Sequence, residues 1–197
     1  MYNISRFTLG EMTSLSSRLR HMGGGDLPME TESGEIVGLF YRSFTLGVDG
    51  PPACALVRFF KTHPYGGLTP DLQAFARRMV SPGDLSSNVQ CLTLLATIGE
   101  RPAWCSRRTS VGHQAIPLVS PELVERAPMI SNLMRQMGLD VNSVLQPDPK
   151  FLIDVDQKSF NVFHTSEALG SPMITAQEEF VLPCGIRSVL GVGGVAL

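Results

Sequence analysis

The chain has 197 residues, 43% hydrophobic and 17% charged, with a formal net charge of −2. That length suits one domain, or one domain with a helical extension, and is enough to bury a core. Sixteen basic against eighteen acidic residues, with no clustered basic run, argue against nucleic-acid binding, which draws on a dense positive surface.

A charged fraction below the usual ~25% leaves apolar surface for a partner to cover, and a homodimer is the expected assembly. No apolar run approaches the ~18 residues of a membrane span, and the first ten residues lack the apolar centre of a signal peptide. The expected location is the cytoplasm, with no membrane partner. The four cysteines, Cys54, Cys91, Cys105 and Cys184, form no Cys-x-x-Cys pair, so they read as reduced thiols buried like small hydrophobes.

Apolar residues Phe7, Met12, Leu15, Leu19 and Met22 recur at helical spacing and predict a first helix over residues 5–22, stopped by the glycines from Gly23. A second helix is expected over 30–44, with Ser33 as its cap and Ile36, Val37, Leu39, Phe40 and Phe44 on its apolar side. Residues 53–62 read as a strand apolar enough for a central position. A short helix follows over 70–80, then a strand over 89–98. Residues 104–112 are polar and read as a loop, and 114–119 as a short strand. Ser120 and Pro121 start a helix that runs to Met137, with Pro128 kinking or splitting it. Strands are expected over 141–145, 151–155 and 160–165, and a closing strand over about 179–191. Helices and strands mix without regular alternation, which predicts an α+β fold with a largely antiparallel sheet of five to six strands flanked by helices.

Several words in the chain are more specific than that order: Ala55-Leu-Val-Arg-Phe-Phe-Lys-Thr-His63, Cys91-Leu-Thr-Leu-Leu-Ala-Thr97, Gly112-His-Gln-Ala-Ile-Pro-Leu118, Gly170-Ser-Pro172 and Gly185-Ile-Arg-Ser-Val-Leu-Gly191. Together they resemble the GAF-like (GAF/PAS-related) sensory input domains found in bacterial proteins ahead of histidine kinases and cyclases. The resemblance covers roughly residues 30–194. It implies an N-terminal helix and linker over 1–28, serving as dimer contact and relay, and a sensor domain over 29–197. It also implies an output partner such as a kinase or cyclase, whose motifs this chain lacks. The chain departs from the family pattern after Gly191, where the last strand of such a sheet is missing. A shortened copy or a fragment is the expectation.

The richest chemistry lies in residues 104–114. Arg107 and Arg108 could hold a carboxylate or phosphate through forked hydrogen bonds, Trp104 could form an apolar wall, and Ser110, His113 and Gln114 could fix orientation. The plainer alternative is a solvated loop in which Trp104 caps the core. His113 is a candidate ligand contact, haem ligand or pH-sensitive group, or a histidine that simply bonds a backbone carbonyl at a strand start. Arg187, in an apolar stretch, needs an acid, carbonyls or a ligand to satisfy it. The predicted ligand wall is Arg58, Trp104, Arg107, Ser110, His113 and Arg187. The ligand itself is unknown. A metal held by Cys91, Cys105 and His113 with Cys54 or His164, or a haem, is a weaker reading, since the spacings match no site pattern. Met129, Met134 and Met137 form either a contact stripe or core. The functional expectation is small-ligand or redox sensing without catalysis. The alternatives are a ligand-free interaction or dimerisation module, and an enzyme using Cys105 or Ser110 as nucleophile with His113 as base.

Overall fold

The structure is a computed structural model that describes residues 1–22, 27–81, 83–110, 113–125, 128–136 and 161–193, with the backbone alone at Met129, Leu133, Gln136 and Asn161. It divides into two units, one of residues 1–63, 69–76 and 91–116, the other of 64–68, 77–90 and 117–197.

In the first unit, β1 (Tyr2–Asn3) pairs in parallel with β2 (Phe44–Thr45). Helix α1 (Leu9–Met22) begins on a reciprocal cap: the Thr8 backbone N–H donates to Glu11 Oε2 at 2.8 Å, and the Glu11 N–H donates to Thr8 Oγ1 at 3.3 Å. Helix α2 (Met29–Ser43) begins one turn before the expected cap. The Pro28 carbonyl accepts from the Thr31 and Glu32 N–H groups, so Ser33 falls inside the helix and is buried. The rings of Tyr2, Phe7 and Phe44 close one end of these helices, with Phe7 edge-on to Phe44 at 5.1 Å between centroids.

A sheet in the order β3–β4–β5 is built from Leu56–Pro64, Gln90–Gly99 and Ala115–Pro117. Backbone bonds from Glu100 N to Ala55 O (3.0 Å) and from Tyr65 N to Val89 O (2.8 Å) set β3 antiparallel to β4. Bonds from Leu94 N to Gln114 O (2.9 Å) and from Leu118 N to Gln90 O (2.8 Å) do the same for β4 and β5. The central strand of this sheet is therefore β4, not the 53–62 segment as expected. β4 buries Cys91, Thr93, Leu94, Ala96 and Thr97, whereas β3 is half-buried along most of its length. Helix α3 (Pro70–Arg77) buries Leu72 and Ala76.

In the second unit the predicted long helix is split at Pro128 into α4 (Pro121–Glu125) and α5 (Pro128–Gln136). Ser120 Oγ accepts the Leu123 N–H at 3.3 Å, as a cap should. Leu118, Val124 and Met134 form a core cluster with Ile130 against it, which makes Met134 core. The Met129 side chain and Met137 lie outside the described residues. β6 (Asn161–Thr165) pairs antiparallel with β7 (Val189–Gly193), Phe163 opposite Gly191.

The closing strand expected over 179–191 is shorter by ten residues at its start. Gln177–Val181 is a π-helical turn, because the Gln177 side chain organises the preceding loop. Its Nε2 donates to the carbonyls of Ile174 (2.7 Å) and Ala168 (3.0 Å), and its Oε1 accepts from the Gly170 N–H at 2.9 Å. Val181 is thereby turned into a second cluster with Ala168 and Ile174. An apolar run can serve a buried turn as well as a strand, and here the glutamine decides.

The fold is α+β, with antiparallel pairing in the described sheets apart from the parallel β1–β2 pair. Among the described residues the strands form one three-stranded sheet and two two-stranded ones, where a single sheet of five to six strands was expected. The strands expected at 141–145 and 151–155 lie outside the described residues. No helix among the described residues is long and apolar enough to cross a membrane.

Candidate functional site

The segment after β4 is a compact loop, built by its own backbone and small polar side chains. A 3-10 turn, Pro102–Trp104, is held when Thr97 Oγ1 donates to Trp104 O at 3.0 Å. Gly99 permits the close approach, since a Cβ there would lie 2.8 Å from the Trp104 ring. Arg101 covers that ring at 5.1 Å. The Cys105 thiol donates to Gly99 O at 3.3 Å. A second turn follows, with the N–H groups of Thr109 and Ser110 donating to Ser106 O at 3.2 and 2.9 Å.

This second turn buries Ser110 almost completely beside β3. Ser110 Oγ accepts from Arg58 Nη2 at 3.1 Å, while Gln114 Nε2 donates to Ser110 O at 2.7 Å. The Arg58 Nε is buried and has no hydrogen-bond partner among the described residues. Burial lowers the guanidinium's pKa, although an arginine keeps its charge. His113 stands close enough to feel that charge. The His113 side chain is exposed, so the desolvation its neighbours impose is partial; that loss of solvation, then repulsion by Arg58, lowers its pKa from the ordinary 6.5. The group is thus a cation, a second ionisable nitrogen base and a buried hydroxyl, with no carboxylate paired to Arg58 among the described residues. Such a set suits an oxyanion.

The other predicted wall residues are placed differently. Arg107 forms a forked pair with Glu30, Nε to Oε1 at 2.7 Å and Nη2 to Oε2 at 3.0 Å, with Asp71 at 3.9 Å. The Arg107 bond holds the Glu30 carboxyl below its usual range. Arg107 is therefore engaged by the protein itself, and Arg108 is exposed. Trp104 is half-buried under Arg101. Arg187 belongs to the second unit, where it borders a cavity of about 510 Å³ with Glu167, Leu169, Val181 and Leu182. Sequence reasoning missed Glu30 and Asp71, which come to Arg107 from α2 and α3. Two acids in the first turns of helices were the available signal.

Among the described residues neither a metal cluster nor a bonded nucleophile–base pair is assembled. No three His, Cys, Asp or Glu side chains converge among the described residues. Cys91 is buried in β4, its thiol pushed up to about 11 by burial, whereas Cys105 is exposed. No hydrogen bond joins His113 to Ser110 or Cys105 among the described residues. The chain matches no protein-family model, no curated protein and no solved structure.

Proposed function

We propose that the chain is a GAF-like input domain that senses a small anionic ligand through Arg58. The carrying observation is the Arg58 guanidinium: it is half-buried in β3, one nitrogen bonds Ser110, and Nε lacks a partner among the described residues. A buried N–H left unpaired costs about 1–3 kcal/mol, more on a charged group, and a carboxylate or phosphate would remove that cost. Ligand binding would act as a signal by favouring one arrangement of α1 and α2 over another, as differential affinity requires. An output partner such as a histidine kinase or cyclase, in a bacterial cytoplasm, completes this reading.

The test is thermal unfolding of the full chain in acetate, citrate and inorganic phosphate at constant ionic strength. At least one anion raises Tm with concentration in the wild type and not in Arg58→Leu. No rise with any anion, or an equal rise in Arg58→Leu, overturns the proposal.

A second reading, an interaction module that self-associates, has its own observation. Val162, Leu190 and Val192 lie on one face of the β6–β7 pair and are 48%, 65% and 67% exposed. Two copies could cover this face with each other, in keeping with the low charge of the chain.

A further inference from the structure

We infer that α1 and α2 form a second site, separate from Arg58, for a small organic anion with an apolar body. A cavity of about 570 Å³ lies against Arg18, His21 and Met22 of α1 and Glu35, Leu39 and Arg42 of α2. These positions recur three and four residues apart on each helix, so they form one face of each. Two guanidiniums and an imidazole converge on one space against a single carboxylate. None of them is ion-paired within 4 Å among the described residues. Two guanidiniums against one carboxylate leave this space net positive and raise the local concentration of anions, the more so at low salt because these side chains are exposed. Met22 and Leu39 supply the apolar wall.

Gly38 sharpens the assignment. A glycine inside a helix costs about 0.5–1 kcal/mol relative to alanine. Here the missing side chain leaves room for the Arg42 guanidinium: a Cβ on Gly38 would lie 2.8 Å from Arg42 Nη2 and 3.1 Å from Nη1. The rival explanation is that Arg42 and His21 merely offset the dipoles of the helix ends near which they sit. Arg42, however, lies back over Gly38, a full turn away from the last carbonyls of α2. Its guanidinium lies beside Gly38 on the wall of the cavity. Ser43 adds no free donor, because its hydroxyl donates to Leu39 O at 2.6 Å. The His21 Nδ1 is turned to Ser17 O at 2.7 Å, so recognition falls on Arg42 and on Arg18, which also meets the Tyr2 hydroxyl, with an aryl or alkyl group against Met22 and Leu39.

Isothermal titration of the full chain with benzoate and with phenyl phosphate tests this, the two probes separating carboxylate from phosphate preference. The expected result is saturable binding of at least one probe, weakened about tenfold or more in Arg18→Gln and in Arg42→Gln and unchanged in Arg58→Leu. Binding of neither probe, or wild-type binding by both arginine variants, overturns the inference. Binding lost in Arg58→Leu alone overturns it too, while leaving the β3 site standing.

Discussion

Removing the Glu30 carboxylate tests how much a forked bond matters when one partner is sheltered. Arg107 is 12% exposed and Glu30 52%, so solvent screens the pair, and Glu30→Gln is expected to lower stability by less than about 1 kcal/mol in denaturant unfolding. The pair also sets a pH response. The folded Glu30 carboxyl titrates below its ordinary 4.5, so its contribution is present above that value and lost as pH falls through the folded pKa. His113 acts in the same direction in a higher window. Its folded pKa lies below 6.5, so the unfolded chain binds the proton more readily, and stability declines as pH falls from about 6.5 toward the folded value. His113→Gln should flatten that slope in urea titrations between pH 7 and 5; an unchanged slope would contradict the lowered His113 pKa. The thiols differ in the same physical way. Cys105 should react with iodoacetamide in the native protein, and Cys91 only on unfolding, as read by mass spectrometry of the labelled peptides.

At the scale of elements, the caps and the central strand carry the stability. Thr8→Ala removes a hydroxyl that accepts from the Glu11 N–H and donates to its carboxylate at 2.8 Å, and should cost about 1 kcal/mol. Leu94→Ala in β4 empties a fully buried position and should cost about 2–5 kcal/mol in the same measurement. Elements with a local cause were legible in the sequence: α1 from its spacing, α4 from Ser120 and Pro121, and the break at Pro128 from proline's missing N–H. Elements with a distant cause were not. The rank of β3 and β4 within the sheet depends on which neighbours pair. The turn Gln177–Val181 depends on four backbone groups that one amide reaches across a loop. Of the candidate site, the sequence named Arg58, Ser110 and His113 as wall residues and assigned the anion to Arg107 and Arg108. The capture of Arg107 by Glu30 was not legible, because 77 residues separate them.

For the molecule as a whole, the α+β class follows from sequence alone, while the division into two units does not. No composition shift marks it, and the first unit is assembled from three separate stretches of chain. The exposed face of Val162, Leu190 and Val192 makes the clearest prediction about assembly. Leu190→Lys should reduce any self-association seen by sedimentation, while leaving Tm nearly unchanged at low protein concentration. The sensing account stands or falls on the Arg58 nitrogen. The most direct measurement is the Arg58 Nε–H resonance, followed by 15N–1H NMR of the full chain during titration with citrate and with inorganic phosphate. The account predicts that at least one anion moves this resonance saturably. A resonance that neither anion moves would contradict it.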